Sequence, residues 1–252
     1  MALIELEQVS REYRMGEERV CALQQVSLNI ERGEFVSIVG RSGSGKSTLM
    51  HLLDRLYELP SEGGSISVGG TDIRDIRLSH LRKNIGMVLQ EPYLFSRTIA
   101  QNLAITADEV DMEAVRAAAG AAALDETVQG FAQGYETMVG ERGVTLSGGQ
   151  KQRTAIARTL TSEAPILIFD DSLSAVDTQT DARIRQAISR RFGKSTVILI
   201  SHRITTLSAA DKILVLDRGR IIEEGSHEEL RSAGGIYQKI YEAQTGLKEE
   251  VE

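Results

Sequence analysis

The feature that most constrains this chain is a glycine-rich loop between an apolar segment and a helical one. The sequence Gly40-Arg41-Ser42-Gly43-Ser44-Gly45-Lys46-Ser47 fits the pattern G-x-x-x-x-G-K-[ST]. Residues 35–39 before it have the composition of a short buried strand, and a helical pattern begins at Thr48. The glycines allow backbone N–H groups to point inward at an anion, and the helix N-terminus adds partial positive charge. The pattern therefore predicts a phosphate-binding loop.

The side chains of this loop predict which phosphates it binds. The Lys46 ammonium is placed to reach the β- and γ-phosphates of a nucleotide, and the Ser47 hydroxyl is placed to ligate Mg²⁺. A second apolar strand, Ile166–Phe169, ends in Asp170 and Asp171. Such a strand brings its terminal carboxylate to the sheet edge where ligands bind. We expect Asp170 to hold Mg²⁺ and Asp171 to lie beside the γ-phosphate, where a general base could orient water.

Composition narrows the class of protein. The chain has 252 residues, enough for a substantial core, and its net charge of −7 argues against a nucleic-acid-binding surface. Cys21 is the only cysteine, so an intrachain disulfide is impossible. The longest apolar runs, Ile166–Phe169 and Val197–Ile200, are far shorter than the roughly 20 residues of a membrane-spanning helix. They are typical of buried parallel strands.

The order of predicted elements indicates an α/β fold. Before residue 90 we expect strands, at residues 3–9, 26–30, 35–39, 62–70 and 85–89. From 98 to 160 the sequence is rich in alanine and helical in pattern, as in Met112–Ala123. After Pro165, strands at 166–170, 196–200 and 213–217 alternate with helices at 179–192 and 203–209. This alternation predicts a parallel sheet with flanking helices.

The motifs together resemble the nucleotide-binding domain of ATP-binding cassette (ABC) transporters, over nearly the whole chain. Gly40–Ser47 is similar to that family's Walker A loop, and Ile166–Asp170 is similar to its Walker B strand. Leu146-Ser147-Gly148-Gly149-Gln150 matches the signature loop without a mismatch. Tyr13 resembles the aromatic residue that stacks on adenine, and Gln90 resembles the Q-loop glutamine. Ser174-Ala175-Val176-Asp177 resembles the D-loop, and His202 resembles the switch histidine.

The resemblance implies a P-loop NTPase (RecA-like) α/β fold. Its mostly parallel sheet carries an N-terminal antiparallel β subdomain and an inserted α-helical subdomain. We expect the ATP-binding core in residues 1–90 and 163–243, the helical subdomain with the signature in 91–162, and a frayed tail in 244–252.

The resemblance also implies the residues of the site. ATP would be held by Tyr13, Gly40, Ser42, Gly43, Ser44, Gly45, Lys46, Ser47 and Thr48, and across an interface by Ser147, Gly148, Gly149, Gln150 and Asp177. Mg²⁺ would be held by Ser47, Gln90 and Asp170, and the catalytic residues would be Asp171, His202 and Gln90. In the family, two such domains pack head to tail around two ATP molecules, so that hydrolysis opens the pair.

Within the family, the sequence favours an exporter. Val139-Gly140-Glu141-Arg142-Gly143 resembles the X-loop of exporter-type domains. The region from Gln90 to Phe95 resembles the surface that receives a coupling helix of the transmembrane domain. These similarities imply a place at the cytoplasmic face of a membrane. The start at Met1-Ala2 suggests an excised domain, with a separately encoded subunit as the alternative.

Asp171 departs from the family pattern, which usually has glutamate there. Aspartate is one methylene shorter, so its carboxylate falls about 1.5 Å short in reach. A misplacement near 1 Å can lower a rate about 100-fold. We therefore expect ATP binding with slow hydrolysis, and a heterodimer whose competent site is completed by this chain's signature loop. A slowly hydrolysing homodimer, or an engineered substitution, stays open.

Three other classes of cassette protein fit less well. DNA-repair and chromosome ATPases separate the two glycine-rich motifs by long coiled coils, whereas about a hundred residues separate them here. Translation-type cassette proteins carry two cassettes and a basic linker, whereas this chain has one cassette and is acidic. The stand-alone ATPase subunit of an importer is the main alternative, and the X-loop similarity argues against it.

Overall fold

The computed structural model describes residues 2–16, 18–140, 145–174, 176–189 and 195–246. The strands are β1 (Ile4–Met15), β2 (Glu18–Ile30), β3 (Phe35–Val39), β4 (Ser65–Val68), β5 (Thr71–Asp72), β6 (Ile85–Val88), β7 (Ile166–Asp170), β8 (Thr196–Ile200), β9 (Lys212–Asp217) and β10 (Arg220–Gly225). The helices are α1 (Lys46–Leu53), α2 (Leu78–Asn84), α3 (Ile99–Leu103), α4 (Met112–Ala121), α5 (Asp125–Gln129), α6 (Gly148–Thr161), α7 (Thr178–Ser189), α8 (Ile204–Leu207), α9 (His227–Leu230) and α10 (Ile236–Thr245), with a 3-10 turn at Gly134–Glu136.

The larger sheet has the order β10-β9-β3-β8-β7-β6, and only β10 runs antiparallel to its neighbour. Its central strands are mostly apolar because both faces are covered, although Ser37 of β3 is also buried. In β7, Ile166 and Ile168 pack into one core, while Leu167 and Phe169 pack into another on the opposite face. The apolar runs of the sequence thus become the middle of a three-layer fold.

The smaller sheet is antiparallel and has the order β2-β1-β4-β5. Its inward residues share a core with α1 and with one face of the larger sheet. The hairpin β1–β2 is longer than the two strands predicted from the sequence at residues 3–9 and 26–30. Gln8 and Gln25 have positive φ angles of 52° and 50°, and the pairing shifts register near them, so bulges interrupt the alternation of side chains.

Helices α3, α4, α6 and α7 cover the other face of the larger sheet and bury many alanines, whose small side chains permit close approach. A third core joins β3 and β9 to α8 and α10. The predicted helix at 179–192 begins one residue earlier, at Thr178, and residues 190–192 lie outside the described part of the chain. The predicted helix at 203–209 is shorter, at Ile204–Leu207. The expectation of a frayed tail from residue 244 is wrong for residues 244 and 245, which belong to α10, and residues 247–252 lie outside the described part of the chain.

The α/β fold expected from the sequence is confirmed, with its antiparallel sheet and helices inserted between β6 and β7. In parallel sheets, ligands bind beyond the carboxyl ends of the strands. Here that edge carries the loop after β3, Gln90 after β6, Asp170 at the end of β7 and His202 after β8. Within the described ranges, no helix is long and apolar enough to cross a membrane.

Candidate nucleotide site

A cavity of about 390 Å³ opens at this sheet edge. Most of the residues predicted to bind nucleotide or metal line it: Tyr13, Ser42, Gly43, Ser44, Gly45, Lys46, Ser47, Thr48, Gln90, Asp170, Asp171 and His202. They come from β1, the loop before α1, the first turn of α1 and the ends of three parallel strands. The structure therefore gathers, from distant parts of the sequence, the groups expected to hold phosphate, base and metal.

Lys46, the first residue of α1, lies in the centre of the glycine-rich loop. Its Nζ donates to the carbonyl oxygens of Gly40 at 2.7 Å and Arg41 at 2.8 Å, and lies 3.3 Å from Ser44 Oγ. Burial lowers the pKa of this ammonium, and the nearby carboxylates of Asp170 and Asp171 oppose that shift. The charge is thus held within the loop, where phosphate oxygens are stronger partners than neutral carbonyls.

Ser47 and Asp170 meet on the floor of the cavity. Ser47 Oγ lies 3.1 Å from Asp170 Oδ1, and only 3 % of Asp170 is exposed. A hydroxyl and a carboxylate are the hard oxygen ligands that Mg²⁺ prefers. The described residues contain no cluster of three or more histidine, cysteine or acidic side chains that could hold a metal. A magnesium ion at this pair would therefore take its other ligands from phosphate and water, as in other nucleotide sites.

Asp171 is half-buried beside this pair and has a φ angle of 44°. That left-handed conformation is rare for residues other than glycine, although aspartate tolerates it, and such strain is concentrated at functional sites. Burial raises the pKa of the Asp171 carboxyl, and the charge of His202 acts in the opposite direction. The carboxylate is thereby more basic than an exposed aspartate, as a general base requires.

His202 follows β8 in the segment Ser201–Arg203 and is exposed at the cavity. Its ring forms no hydrogen bond with the described part of the chain, whereas its backbone carbonyl does. The imidazole is therefore available to a ligand in the cavity.

Tyr13 lies at the mouth of the cavity and has neighbours on its ring. The Arg11 guanidinium lies 5.0 Å from the ring centroid, and Tyr57 packs edge-on at 5.9 Å. The Tyr13 hydroxyl is buried without a hydrogen-bond partner in the described structure. These contacts fix the position of an aromatic face, as base stacking requires.

The remaining predicted residues lie elsewhere. Gly40 is behind the loop, where it accepts the Lys46 hydrogen bond. Ser147–Gln150 forms the start of α6, and neither it nor Asp177 lines the cavity. Asp177 accepts from the Thr180 N–H at 3.0 Å, and this bond holds the pKa of its carboxyl below the usual range. Ala175 and residues 141–143 of the expected D- and X-loops lie outside the described residues.

Sequence reasoning missed three apolar residues of the cavity, Val20, Ala22 and Ile200. Val20 pairs directly with Tyr13 across the β1–β2 hairpin. Pairing the two strands of a long hairpin would have placed Val20 opposite Tyr13. Residues 10–25 are too polar, however, to show the alternation that predicts such strands.

The segment Gln90–Phe95 extends from the cavity to an exposed aromatic surface. Tyr93 is 71 % exposed and packs edge-on against Phe95 at 5.2 Å. Arg158 of α6, which sequence reasoning also missed, donates to the Tyr93 carbonyl at 3.0 Å and to the Asn102 carbonyl at 2.9 Å. The exposed surface is thus attached to the helix that begins at Ser147.

Comparisons with known proteins agree with this geometry. The profile of the family described as "ABC transporter" matches residues 23–174, more than half of the chain. An ATP-dependent lipid A-core flippase of Chromohalobacter salexigens is 43% identical over 232 residues, covering 92% of this chain and 40% of the flippase. ABC transporter aclQ of Aspergillus oryzae is 44% identical over 233 residues, covering 92% of this chain and 29% of that protein.

A solved structure of a bacterial Atm1-family ABC exporter with ATP bound superposes on this chain with a TM-score of 0.88. The two are 40% identical, and the match covers 97% of this chain and 42% of the exporter. The chain therefore spans less than half of each of these three proteins.

Proposed function

This chain belongs to the ABC transporter family, and on that premise we propose that it binds Mg-ATP and drives export as the nucleotide-binding domain of a membrane transporter. The observation that carries the proposal is the convergence of Lys46, Ser47 and Asp170 in one cavity beside Tyr13. A cation, a hydroxyl, a carboxylate and an aromatic face are together the groups that a magnesium nucleotide requires. The ATP-bound exporter of the same fold supports this assignment.

Different residues of the cavity bind the base, the phosphates and the metal ion of the nucleotide. Tyr13 stacks on the adenine base, and the N–H groups of residues 42–48 and the Lys46 ammonium bind the phosphates. Ser47 and Asp170 hold Mg²⁺, with Gln90 at the carboxyl end of β6 as a further ligand. When bound, Mg²⁺ supplies the positive charge that neutralises the terminal phosphates.

Hydrolysis at this site is proposed to be slow. Asp171 would orient the attacking water and accept its proton, and the His202 ring would donate to the γ-phosphate. Both side chains border the same cavity, but the aspartate is about one carbon–carbon bond, roughly 1.5 Å, shorter than glutamate. The site therefore retains its binding groups while its base is displaced from the water.

The second glycine-rich motif is proposed to act on a partner domain. Ser147–Gln150 lies outside this chain's own cavity, at the N-terminus of the 14-residue helix α6. Such a terminus binds anions through its free N–H groups and its dipole. It would contact the γ-phosphate held by the partner, with Asp177 beside it. Because Asp171 weakens only the site in which it lies, a heterodimer with a glutamate-bearing partner is favoured over a homodimer.

Contact with a transmembrane domain is proposed for the exposed aromatic surface at Tyr93 and Phe95 and for the X-loop, residues 139–143, of which 141–143 lie outside the described residues. Tyr93, Phe95 and Leu89 are large apolar side chains that solvent reaches. Exposed apolar residues in a fixed arrangement are typical of interfaces. The lipid A-core flippase and the Atm1-family exporter support export over import. A place for this chain at the cytoplasmic face of a membrane is proposed together with that role.

Equilibrium ATP binding by the 252-residue chain tests this assignment. We expect binding that needs Mg²⁺ and that falls 10-fold or more in Lys46→Ala, because hydrogen bonds to charged groups contribute about 1.5–3 kcal/mol. Lys83→Ala, which removes an exposed lysine of α2, is the matched control and should bind normally. Equal affinities for the two variants, or no ATP binding by the wild type, would overturn the proposal.

A further inference from the structure

One glutamine of the last helix binds the backbone on both sides of Arg203, the residue that follows His202. Gln244, in the final turn of α10, donates from Nε2 to the carbonyl oxygen of His202 at 2.6 Å. Its Oε1 accepts from the backbone N–H of Ile204 at 2.9 Å. A single side-chain amide thus uses its donor and its acceptor on two backbone groups that flank Arg203.

Neither of these backbone groups is hydrogen-bonded within α8, because His202 precedes the helix and Ile204 lies in its first turn. Ile204 is the first residue of α8, and the cap residue Arg203 provides no side-chain hydrogen bond to the helix. The N–H groups of a first helical turn must find acceptors outside the helix. Gln244 provides the acceptor for the Ile204 N–H and so stabilises the start of α8, two residues after His202.

The loop is also held from the opposite side. The Arg203 guanidinium donates to the carbonyl oxygens of Ser174 at 3.1 Å and Val176 at 2.8 Å, in the segment after β7. Arg203 Nη1 also lies 3.8 Å from the buried Asp181 carboxylate. The backbone around His202 is therefore bonded both to Gln244 and to the segment after β7, whereas the exposed ring has no hydrogen bond within the described residues.

The helix that carries Gln244 is itself fixed at its other end. The Glu223 carboxylate accepts from the N–H groups of Ile236 and Tyr237, the latter at 3.1 Å. Tyr237 is fully buried, and its hydroxyl lies 2.7 Å from His227 Nδ1. Helix α10 is thus a rigid support from which Gln244 reaches the cavity edge.

From these contacts we infer that Gln244 is a positioning residue, which sets the backbone of His202 so that the imidazole points into the nucleotide cavity. The inference rests on the function proposed above for His202. Gln244 does not line the cavity itself, and it contacts the lining residue His202 through the backbone carbonyl. Its effect on hydrolysis must therefore pass through His202.

Histidine side-chain NMR of the 252-residue chain tests the placement directly, because the chain has only four histidines. His202→Gln identifies the His202 signals. Gln244→Leu keeps the approximate size of the side chain and removes both hydrogen bonds, so it should shift or broaden the His202 signals without nucleotide. Gln238→Leu is the matched control, since Gln238 lies on the same helix and bonds Gly234 and Glu242 instead. Unchanged His202 signals in Gln244→Leu would overturn the inference.

Adding Mg-ATP separates the two proposals. In the wild type, ATP should shift the His202 signals, and in Gln244→Leu that shift should shrink while the ATP dissociation constant stays within about threefold. ATP that binds the wild type without moving the His202 signals would contradict the role of His202, not the effect of Gln244 on the loop.

The kinetics of ATP hydrolysis, measured in an Asp171→Glu background, test the role of Gln244 independently. Gln244→Leu should lower kcat about 10-fold with little change in KM, since misplacement of a reacting group acts on the chemical step. Once His202 is replaced by alanine, Gln244→Leu should have no further effect, as a double-mutant cycle reveals for residues that act through one another. Additive losses would show that Gln244 acts elsewhere.

Discussion

At the scale of single residues, the glycines of the phosphate loop are fixed by what surrounds them. A Cβ on Gly45 would lie 2.3 Å from the Ala22 carbonyl oxygen, and one on Gly40 would lie 2.1 Å from that of Leu216. Gly45 also has a φ angle of 102°, which side chains rarely adopt. The loop is thus pressed between the hairpin and β9, and its shape is set before any ligand arrives.

Gly45→Ala should therefore destabilise the chain by about 2 kcal/mol or more, from the positive φ and the backbone clash together. Gly43→Ala is the matched control, because Gly43 also has positive φ but a Cβ there would meet nothing within 4 Å. We expect Gly43→Ala to cost about 1 kcal/mol. Chemical denaturation of both variants measures the difference, and equal losses would refute the role of the Ala22 contact.

The residues of the phosphate loop were predictable because their chemistry follows from a short pattern. Lys46, Ser47 and Asp170 lie together as that pattern implies. The backbone of Asp171 was not predictable, because its positive φ depends on how β7 ends against β8. The carbonyl partners of Lys46 could not be read from composition either, since they belong to the folded loop.

At the level of single helices, three of those described begin with a reciprocal cap, namely α6, α3 and α9. In α6, Ser147 Oγ accepts from the Gln150 N–H, and the Gln150 side chain accepts from the Ser147 N–H. In α3, Thr98 and Gln101 form the same pair of bonds. Only the first of these caps is expected to bind a partner's phosphate.

Ser147→Ala and Thr98→Ala should each cost about 1 kcal/mol of unfolding free energy, through loss of a helix cap. Only Ser147→Ala should also reduce the ATP-dependent association of two nucleotide-binding domains. Sedimentation with and without Mg-ATP measures that association. If both variants associate equally well, the Ser147 hydroxyl does no more than cap its helix.

Asp54, which follows α1, lies near Arg82 of α2 and makes the free energy of unfolding depend on pH. Burial raises the pKa of its carboxyl to about 6, and Arg82 opposes this from 4.0 Å. The folded chain then binds this proton more readily than the unfolded chain. The cost of the buried charge is therefore fully present above about pH 6 and is relieved as the pH falls toward 4.

Asp54→Asn should accordingly stabilise the chain at pH 8, on the order of 1 kcal/mol after allowance for solvent screening. The gain over the wild type should vanish near pH 4, where the wild-type carboxyl is protonated. Thermal unfolding of both proteins across this range measures the gain. A gain that is constant with pH would contradict the raised pKa.

The full length of the β1–β2 hairpin could not be predicted from the sequence pattern. Its outer half is charged on both faces and solvated, so no alternation of apolar residues marks residues 10–25 as strand. The apolar strands β7 and β8 were predicted at their bounds because burial on both faces dictates their composition.

Across the whole molecule, the edge of the larger sheet carries the residues of the site, and helices cover one face of the same sheet. Alternation of strands and helices after Pro165 predicted the parallel sheet, and the structure confirms it. The order of its strands comes from long-range pairing, which no local pattern encodes. The division into a core at 1–90 and 163–243 and a helical subdomain at 91–162 stays a prediction.

We propose a site that binds ATP but hydrolyses it slowly because the Asp171 side chain is too short. The ATP turnover rate of the 252-residue chain, compared among wild type, Asp171→Glu and Lys46→Ala, tests this proposal. We expect the wild-type rate to stay near that of the Lys46→Ala blank although the wild type binds ATP, and we expect Asp171→Glu to hydrolyse ATP 10-fold faster or more. Wild-type turnover equal to that of Asp171→Glu would contradict it and favour a homodimeric motor.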